Sequence, residues 1–252
     1  MATLPHEGTF NILYGGIGIP AGSDLGSGYL ARPDMVGQFP VVLVLPDIYG
    51  VTSFEKDMCR RLARRGMAAI ALDLYRGNAP PASGSMDEAV LAYQQLSDSR
   101  VITDIGDAHA FVMGQGLDWA AKGTVGILGA DIGGRFGLLY AAGRSDVGAV
   151  CVVQAPLAGD EHRAFVVSEA LPRISVPVLG LYGATDELIP ASGVDVAQDL
   201  NPSGMWVLYD ETGHGFLDDG AVGYHPGAAS DAYSRISKFF LGHLPPPNPA
   251  AY

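Results

Sequence analysis

Hydrophobic and polar positions in this chain alternate between two periods. Short, unbroken apolar runs at residues 41–45 (Val-Val-Leu-Val-Leu), 67–72, 124–128, 149–153, 178–182 and 206–209 have the length expected of strands buried on both faces. Between them, residues 54–65, 87–96, 101–117, 135–142 and 228–241 carry helical patterns. Ser53 is the predicted N-cap of the first of these helices and Gly66 its C′ stop. In the last, Tyr233, Ile236, Phe239 and Phe240 recur at i, i+3, i+6 and i+7 and so share one face. The breaker-rich stretch 78–85 predicts a loop, and the Gly-rich residues 8–31 an antiparallel hairpin at a sheet edge. Strands alternating with helices predict an α/β fold, a mostly parallel sheet with helices on both faces. Residues 1–252 read as a single domain, with the proline-rich 245–252 as an extended, flexible tail.

Composition narrows the function. A net charge of −12 disfavours nucleic acid and anionic membrane, which reward a basic surface. Two cysteines, Cys59 and Cys151, make neither a disulfide framework nor a metal cluster, and Cys151 reads as a buried structural thiol. The first residues lack a basic and apolar leader pattern, and no run reaches membrane-spanning length. The expectation is a soluble cytoplasmic protein acting on a small-molecule substrate without metal or cofactor. No feature sets an oligomeric state.

Gly129-Ala130-Asp131-Ile132-Gly133-Gly134 stands between a predicted strand and a predicted helix. A strand turning sharply into a helix around small residues holds the side chain at the turn exposed and strained, as in a nucleophile elbow. Hydrolases usually place Ser or Cys there; here the tip is a carboxylate. Two further motifs follow strands downstream. Gly183-Ala184-Thr185-Asp186 puts an acid where ligands bind in open α/β sheets, and Gly213-His214-Gly215-Phe216 gives a histidine backbone room to turn into a cleft. Among the other histidines, His109 reads as part of a solvated helix face. Nucleophile, acid and histidine in that chain order is the order of α/β hydrolases.

At this point the chain resembles the dienelactone hydrolase family along nearly its whole length. The resemblance rests on Leu45-Pro46-Asp47-Ile48-Tyr49-Gly50, Asp73-Leu74-Tyr75, the elbow, Gly183-x-x-Asp186, Gly213-His214-Gly215-Phe216, and Tyr224 with Ala228-Ala229 and Arg235 near the end. It implies a single-domain α/β-hydrolase fold. It also implies a site of Asp131, Asp186, His214 and Asp47, with an oxyanion hole from the backbone N–H groups of Ile48 and Ile132. Tyr49, Tyr75, Trp206 and Phe216 are candidate cleft walls. In the family a cysteine attacks a lactone or ester carbonyl, and a glutamate touches the resting thiol. Asp131 and Asp47 depart from both. The stretch after His214, Phe216-Leu217-Asp218-Asp219, is acidic where the family prototype has an arginine for a substrate carboxylate, so a carboxylated dienelactone is not the expected substrate.

An aspartate at the elbow leaves three chemistries open. A hydrolase can use it to displace a leaving group from an sp³ carbon and then hydrolyse the resulting ester. Asp131 and Asp47 can instead share a proton in a non-hydrolytic cyclase, isomerase or dehydratase, because neighbouring carboxylates resist double ionisation. The fold can also serve as a non-catalytic binding protein. A hydrolase acting on a non-standard substrate is the leading expectation.

Overall fold

A computed structural model describes residues 8–22, 24–79, 85–157 and 165–249. The strands are β1 (Ile12–Ala21), β2 (Asp24–Pro33), β3 (Gly37–Gln38), β4 (Val41–Leu45), β5 (Ala68–Leu72), β6 (Val125–Ala130), β7 (Val147–Val153), β8 (Val178–Gly183), β9 (Met205–Tyr209) and β10 (Asn248–Pro249). The helices are α1 (Ser53–Arg64), α2 (Met86–Gln94), α3 (Asp98–Met113), α4 (Ile132–Ala141), α5 (Val167–Ala170), α6 (Ala191–Leu200) and α7 (Pro226–His243), with a 3₁₀ turn at Leu171–Arg173.

Eight strands form one sheet in the order β1-β2-β5-β4-β6-β7-β8-β9. From β5 to β9 neighbours run parallel, while β1 and β2 form the antiparallel hairpin at the edge. Both faces are covered, which is why the strand sequences read as continuous apolar runs. On β4, Val41, Leu43 and Leu45 face one core with residues of α3, α4 and α6, while Val42 and Val44 face the other with α1 and α7. Tyr233, Ile236, Phe239 and Phe240 are all buried in that second core, as their spacing predicts. Burial of a side chain of this size contributes roughly 1.5–3 kcal/mol. Among the described residues, no helix is long and apolar enough to cross a membrane.

The boundaries depart from the sequence expectation in instructive places. Thr52, not Ser53, caps α1: its hydroxyl accepts from the Phe54 N–H, and the Glu55 carboxylate accepts from the Thr52 N–H at 2.8 Å. Helix α3 ends at Met113 because Gly114 turns extended. Helix α6 buries only Val194 and Ala197, too thin a pattern to predict it. Within the expected flexible tail, Asn248 and Pro249 pair with Gln38 and Gly37; residues 250–252, and residues 80–84 of the expected loop, lie outside the described residues. His109 does not line a solvated face. It is buried, with Nδ1 2.9 Å from the Tyr140 hydroxyl, because α3 packs this side against α4. Cys59 and Cys151 are buried free thiols.

Candidate active site

Asp131 occupies the turn between β6 and α4 at φ 45° and ψ −120°. A non-glycine residue there carries about 1–3 kcal/mol of backbone strain. The flanking glycines make the turn possible: a Cβ on Gly133 would stand 2.3 Å from the Leu45 carbonyl oxygen, and one on Gly129 2.4 Å from that of Gly133. The Asp131 N–H donates to the Val153 carbonyl at 3.0 Å, which ties the turn to the neighbouring strand β7. The elbow helix is anchored as well. Arg135 forms a buried two-pronged pair with Asp98, at 3.0 and 2.8 Å.

Parallel order brings the remaining groups to the same edge. Asp47 follows β4, Asp131 follows β6, Gln154 follows β7, Asp186 follows β8 and His214 lies just beyond β9, on five adjacent strands. His214 Nδ1 is 2.9 Å from Asp186 Oδ2, so Nδ1–H donates to the carboxylate and Nε2 is left to face the cleft. The other oxygen, Oδ1, accepts from the N–H groups of Leu188 and Ile189 at 2.9 and 3.1 Å. Gln154 Nε2 donates to Asp186 Oδ2 at 2.9 Å and to the Gly213 carbonyl at 3.0 Å, and its Oε1 accepts from the Gly215 N–H at 2.9 Å.

These contacts set the charges. Burial pushes the Asp186 carboxyl up, but the His214 hydrogen bond and charge and the two N–H groups outweigh it, leaving its pKa below the ordinary value. The Asp186 hydrogen bond raises His214 against the opposing effect of burial, and the charges of Asp186 and Asp131 add to the rise. Burial holds the Asp131 pKa above its ordinary value; His214 and the backbone N–H groups of Ile132 and Ile48, both directed at its carboxylate, favour the anion and offset that rise in part. Asp47 is pushed up to about 8, first by burial and then by Glu55, with Asp131 and Asp218 adding to it and the Tyr49 N–H opposing. Glu55 is itself raised by burial. The two elbow-side carboxyls therefore sit in unlike surroundings. Asp131 faces two N–H groups and an imidazole, whereas Asp47 faces other acids.

Of the sequence-predicted residues, Asp131, Asp186, His214 and Asp47 come together, and Ile48 and Ile132 present their N–H groups at the elbow. Ile48, Ile132 and Tyr75 form an apolar cluster with Ala89 of α2, and Tyr49 packs on its edge. Tyr75 is a support more than an open wall: its hydroxyl donates to the Ile48 carbonyl at 2.7 Å and it is buried. Two wall candidates are corrected. Phe216 is fully buried against Tyr209, in the core under α7, because the chain after His214 dives under that helix. Trp206 pairs with Gly180 low on the sheet, packs on Tyr182 and donates to the Asn201 carbonyl, away from the strand ends that carry the site. Sequence reasoning missed Gln154 and Glu55. A polar residue closing the apolar run 149–153 was the available signal for Gln154, and the spacing Thr52-x-x-Glu55 for the other. No cluster among the described residues could hold a metal ion.

Comparison with known proteins gives the family. The model of the dienelactone hydrolase family matches residues 27–244. A Yersinia pestis protein named "Putative carboxymethylenebutenolidase" is 31% identical over 259 residues, spanning 96% of each chain. One of the same name from Methylorubrum extorquens is 32% identical, over 91% of this chain and 81% of that one. The crystal structure of a "Putative Dienelactone Hydrolase" from Klebsiella pneumoniae superposes with a TM-score of 0.86 at 28% identity, covering 92% of this chain and 100% of that one. With the family model matched over most of its length, the chain belongs to the dienelactone hydrolase family and is a hydrolase of the α/β-hydrolase superfamily.

Proposed function

We propose that this protein hydrolyses an uncharged small molecule by displacement at an sp³ carbon, with Asp131 as the covalent nucleophile and a strained cyclic ether (an epoxide) as the substrate class. The observation that carries the reading is the direction of the Ile48 and Ile132 N–H groups, which point at the Asp131 carboxylate itself. A carboxylate oxygen held there fills the place where an ester substrate would put its carbonyl oxygen. Attack on an ester would also yield a mixed anhydride. Attack on an sp³ carbon yields an alkyl ester of Asp131 whose carbonyl already lies in the hole.

The first step forms a bond between an Asp131 oxygen and the ring carbon and breaks the ring C–O bond. The departing oxygen takes a proton from Asp47, which holds one at neutral pH because its pKa stands near 8. In the second step His214 Nε2 takes a proton from water, and the hydroxide adds to the Asp131 carbonyl carbon. The N–H groups of Ile48 and Ile132 hold the resulting oxyanion. Collapse expels the diol oxygen, which receives the His214 proton, and the Asp131 acid returns its proton to Asp47. The sum is ring plus water giving diol. A halide needs donors at the leaving atom, and the residue beside the nucleophile is the apolar Ile132, so an oxygen leaving group suits the site better. Asp131, Asp186 and Asp218 put negative charge at this edge of the sheet, which disfavours anionic substrates.

Single turnover of styrene oxide in ¹⁸O-labelled water tests this. The expected result is unlabelled diol and one ¹⁸O in the peptide containing Asp131. Labelled diol with unlabelled Asp131 would mean direct acid–base attack by water, and hydrolysis of esters without any epoxide turnover would remove the substrate class.

A further inference from the structure

Gln154 follows β7, beside the strand β8 that delivers Asp186 and one strand further from β9, which precedes His214, and the chemistry above makes no use of it. We propose that Gln154 is a positioning residue whose side-chain amide joins the acid loop to the histidine loop and so determines where the His214 ring stands. Its consequence for turnover rests on the reading of His214 and Asp186 as a proton relay; the joint itself does not.

The amide makes three hydrogen bonds. Both Nε2 hydrogens are engaged, one on Asp186 Oδ2 at 2.9 Å and one on the Gly213 carbonyl at 3.0 Å, and Oε1 accepts from the Gly215 N–H at 2.9 Å. The contacts also decide its orientation. A flipped amide would set oxygen against the carboxylate and a carbonyl, and nitrogen against an N–H. Asp186 Oδ2 is the atom that receives His214 Nδ1–H, so Gln154 and His214 converge on one oxygen. With Oδ1 held by Leu188 and Ile189, the carboxylate has no freedom to rotate.

The histidine loop needs such a joint. His214 lies between two glycines, which leave its backbone free to adopt several conformations, and its side chain is 34% exposed. Gln154 takes hold of that backbone on both sides, at the Gly213 carbonyl and the Gly215 N–H. Its own anchorage is firm: it is buried, and its N–H donates to the Leu181 carbonyl at 2.9 Å. It adopts φ 51°, a left-handed conformation that costs a glutamine energy and that the surroundings must maintain.

The test is a ¹⁵N-resolved titration of His214 in the intact protein, which needs no substrate. It compares the natural chain with Gln154→Met, a variant of similar volume with neither donors nor acceptor. In the natural chain a slowly exchanging, downfield Nδ1–H resonance is expected, with a midpoint above the ordinary histidine value. In Gln154→Met that resonance should be lost and the midpoint should fall by at least about 0.5 in pH toward the ordinary value near 6.5. An unchanged midpoint overturns the proposal, and so does a raised one with the resonance retained, since either would mean the pair holds itself together. Should Gln154→Met fail to fold, the natural chain still decides. The two Gln154 side-chain amide protons are expected to exchange slowly and to resonate well apart; rapid exchange with ordinary chemical shifts overturns the proposal. Failure here leaves the covalent chemistry of Asp131 standing, and a negative ¹⁸O experiment leaves this joint standing.

Discussion

The backbone N–H of Asp47 donates to Glu55 Oε1 at 3.3 Å, which sets two largely buried acidic side chains against the elbow that carries a third. This has a direct consequence for stability. Asp47 rises from 3.8 to about 8 on folding, so between those values the folded chain keeps a proton that the unfolded chain has released. The stability this group contributes is complete below its unfolded pKa and is lost as pH rises through the folded one. Asp47→Asn removes that dependence while keeping an acceptor for the Tyr49 N–H. The variant should therefore gain thermal stability over the natural chain at pH 8 and much less at pH 5. Each tenfold difference in proton affinity between the folded and unfolded chain corresponds to about 1.4 kcal/mol, or roughly 3–5 °C in a chain of this size. Equal gains at both pH values in calorimetry would contradict the assignment.

Splitting the two steps by mutation gives a second prediction. His214→Phe should still allow Asp131 to open the ring but should stall at the ester, because nothing takes the proton from water. Intact-protein mass spectrometry after incubation with styrene oxide should show a persistent adduct of one substrate mass, which digestion should place on the peptide containing Asp131. Asp131→Asn should show none, and an adduct that persists in Asp131→Asn would place the reactive group elsewhere.

The pH dependence should also divide. Ring opening needs Asp47 protonated, so kcat/KM should fall as pH rises through about 8. Ester hydrolysis needs neutral His214, and its pKa is raised by Asp186, so kcat should fall as pH drops through a midpoint above the ordinary histidine value. Asp47→Asn should abolish the alkaline limb and lower kcat/KM by about 10²–10⁴-fold, the range of general acid catalysis. An alkaline limb that survives the substitution would assign it to another group.

Asp131→Cys should convert the enzyme toward its family's usual chemistry. A thiolate in place of the carboxylate frees the Ile48 and Ile132 N–H groups for a substrate carbonyl, while the His214–Asp186 pair remains to activate the thiol. Hydrolysis of p-nitrophenyl acetate should rise by about 10²–10³-fold over the natural chain, the usual worth of an oxyanion-hole contact, and epoxide turnover should cease. A folded variant inert toward esters would show that the cleft itself rejects acyl substrates.

The alternation of strands and helices, the two-faced burial of the sheet and the aspartate at the elbow are legible in the residues alone. These follow from local periodicity and from turns that only small residues permit, as at Gly129 and Gly133. A chemical identity such as Asp131 needs no structure to be read. Tertiary structure decided what local pattern does not encode. Phe216 and Trp206 looked like cleft walls, yet neighbouring elements bury one and draw the other down the sheet. His109 looked solvated until α4 packed against it. A polar residue closing the apolar run 149–153 marks Gln154 but not what it does, because that role arises from strand order: only the adjacency of β7, β8 and β9 lets one amide reach both Asp186 and the backbone around His214. Burial and hydrogen-bond partners depend on distance in space, and that is set by how strands far apart in the chain come to lie side by side.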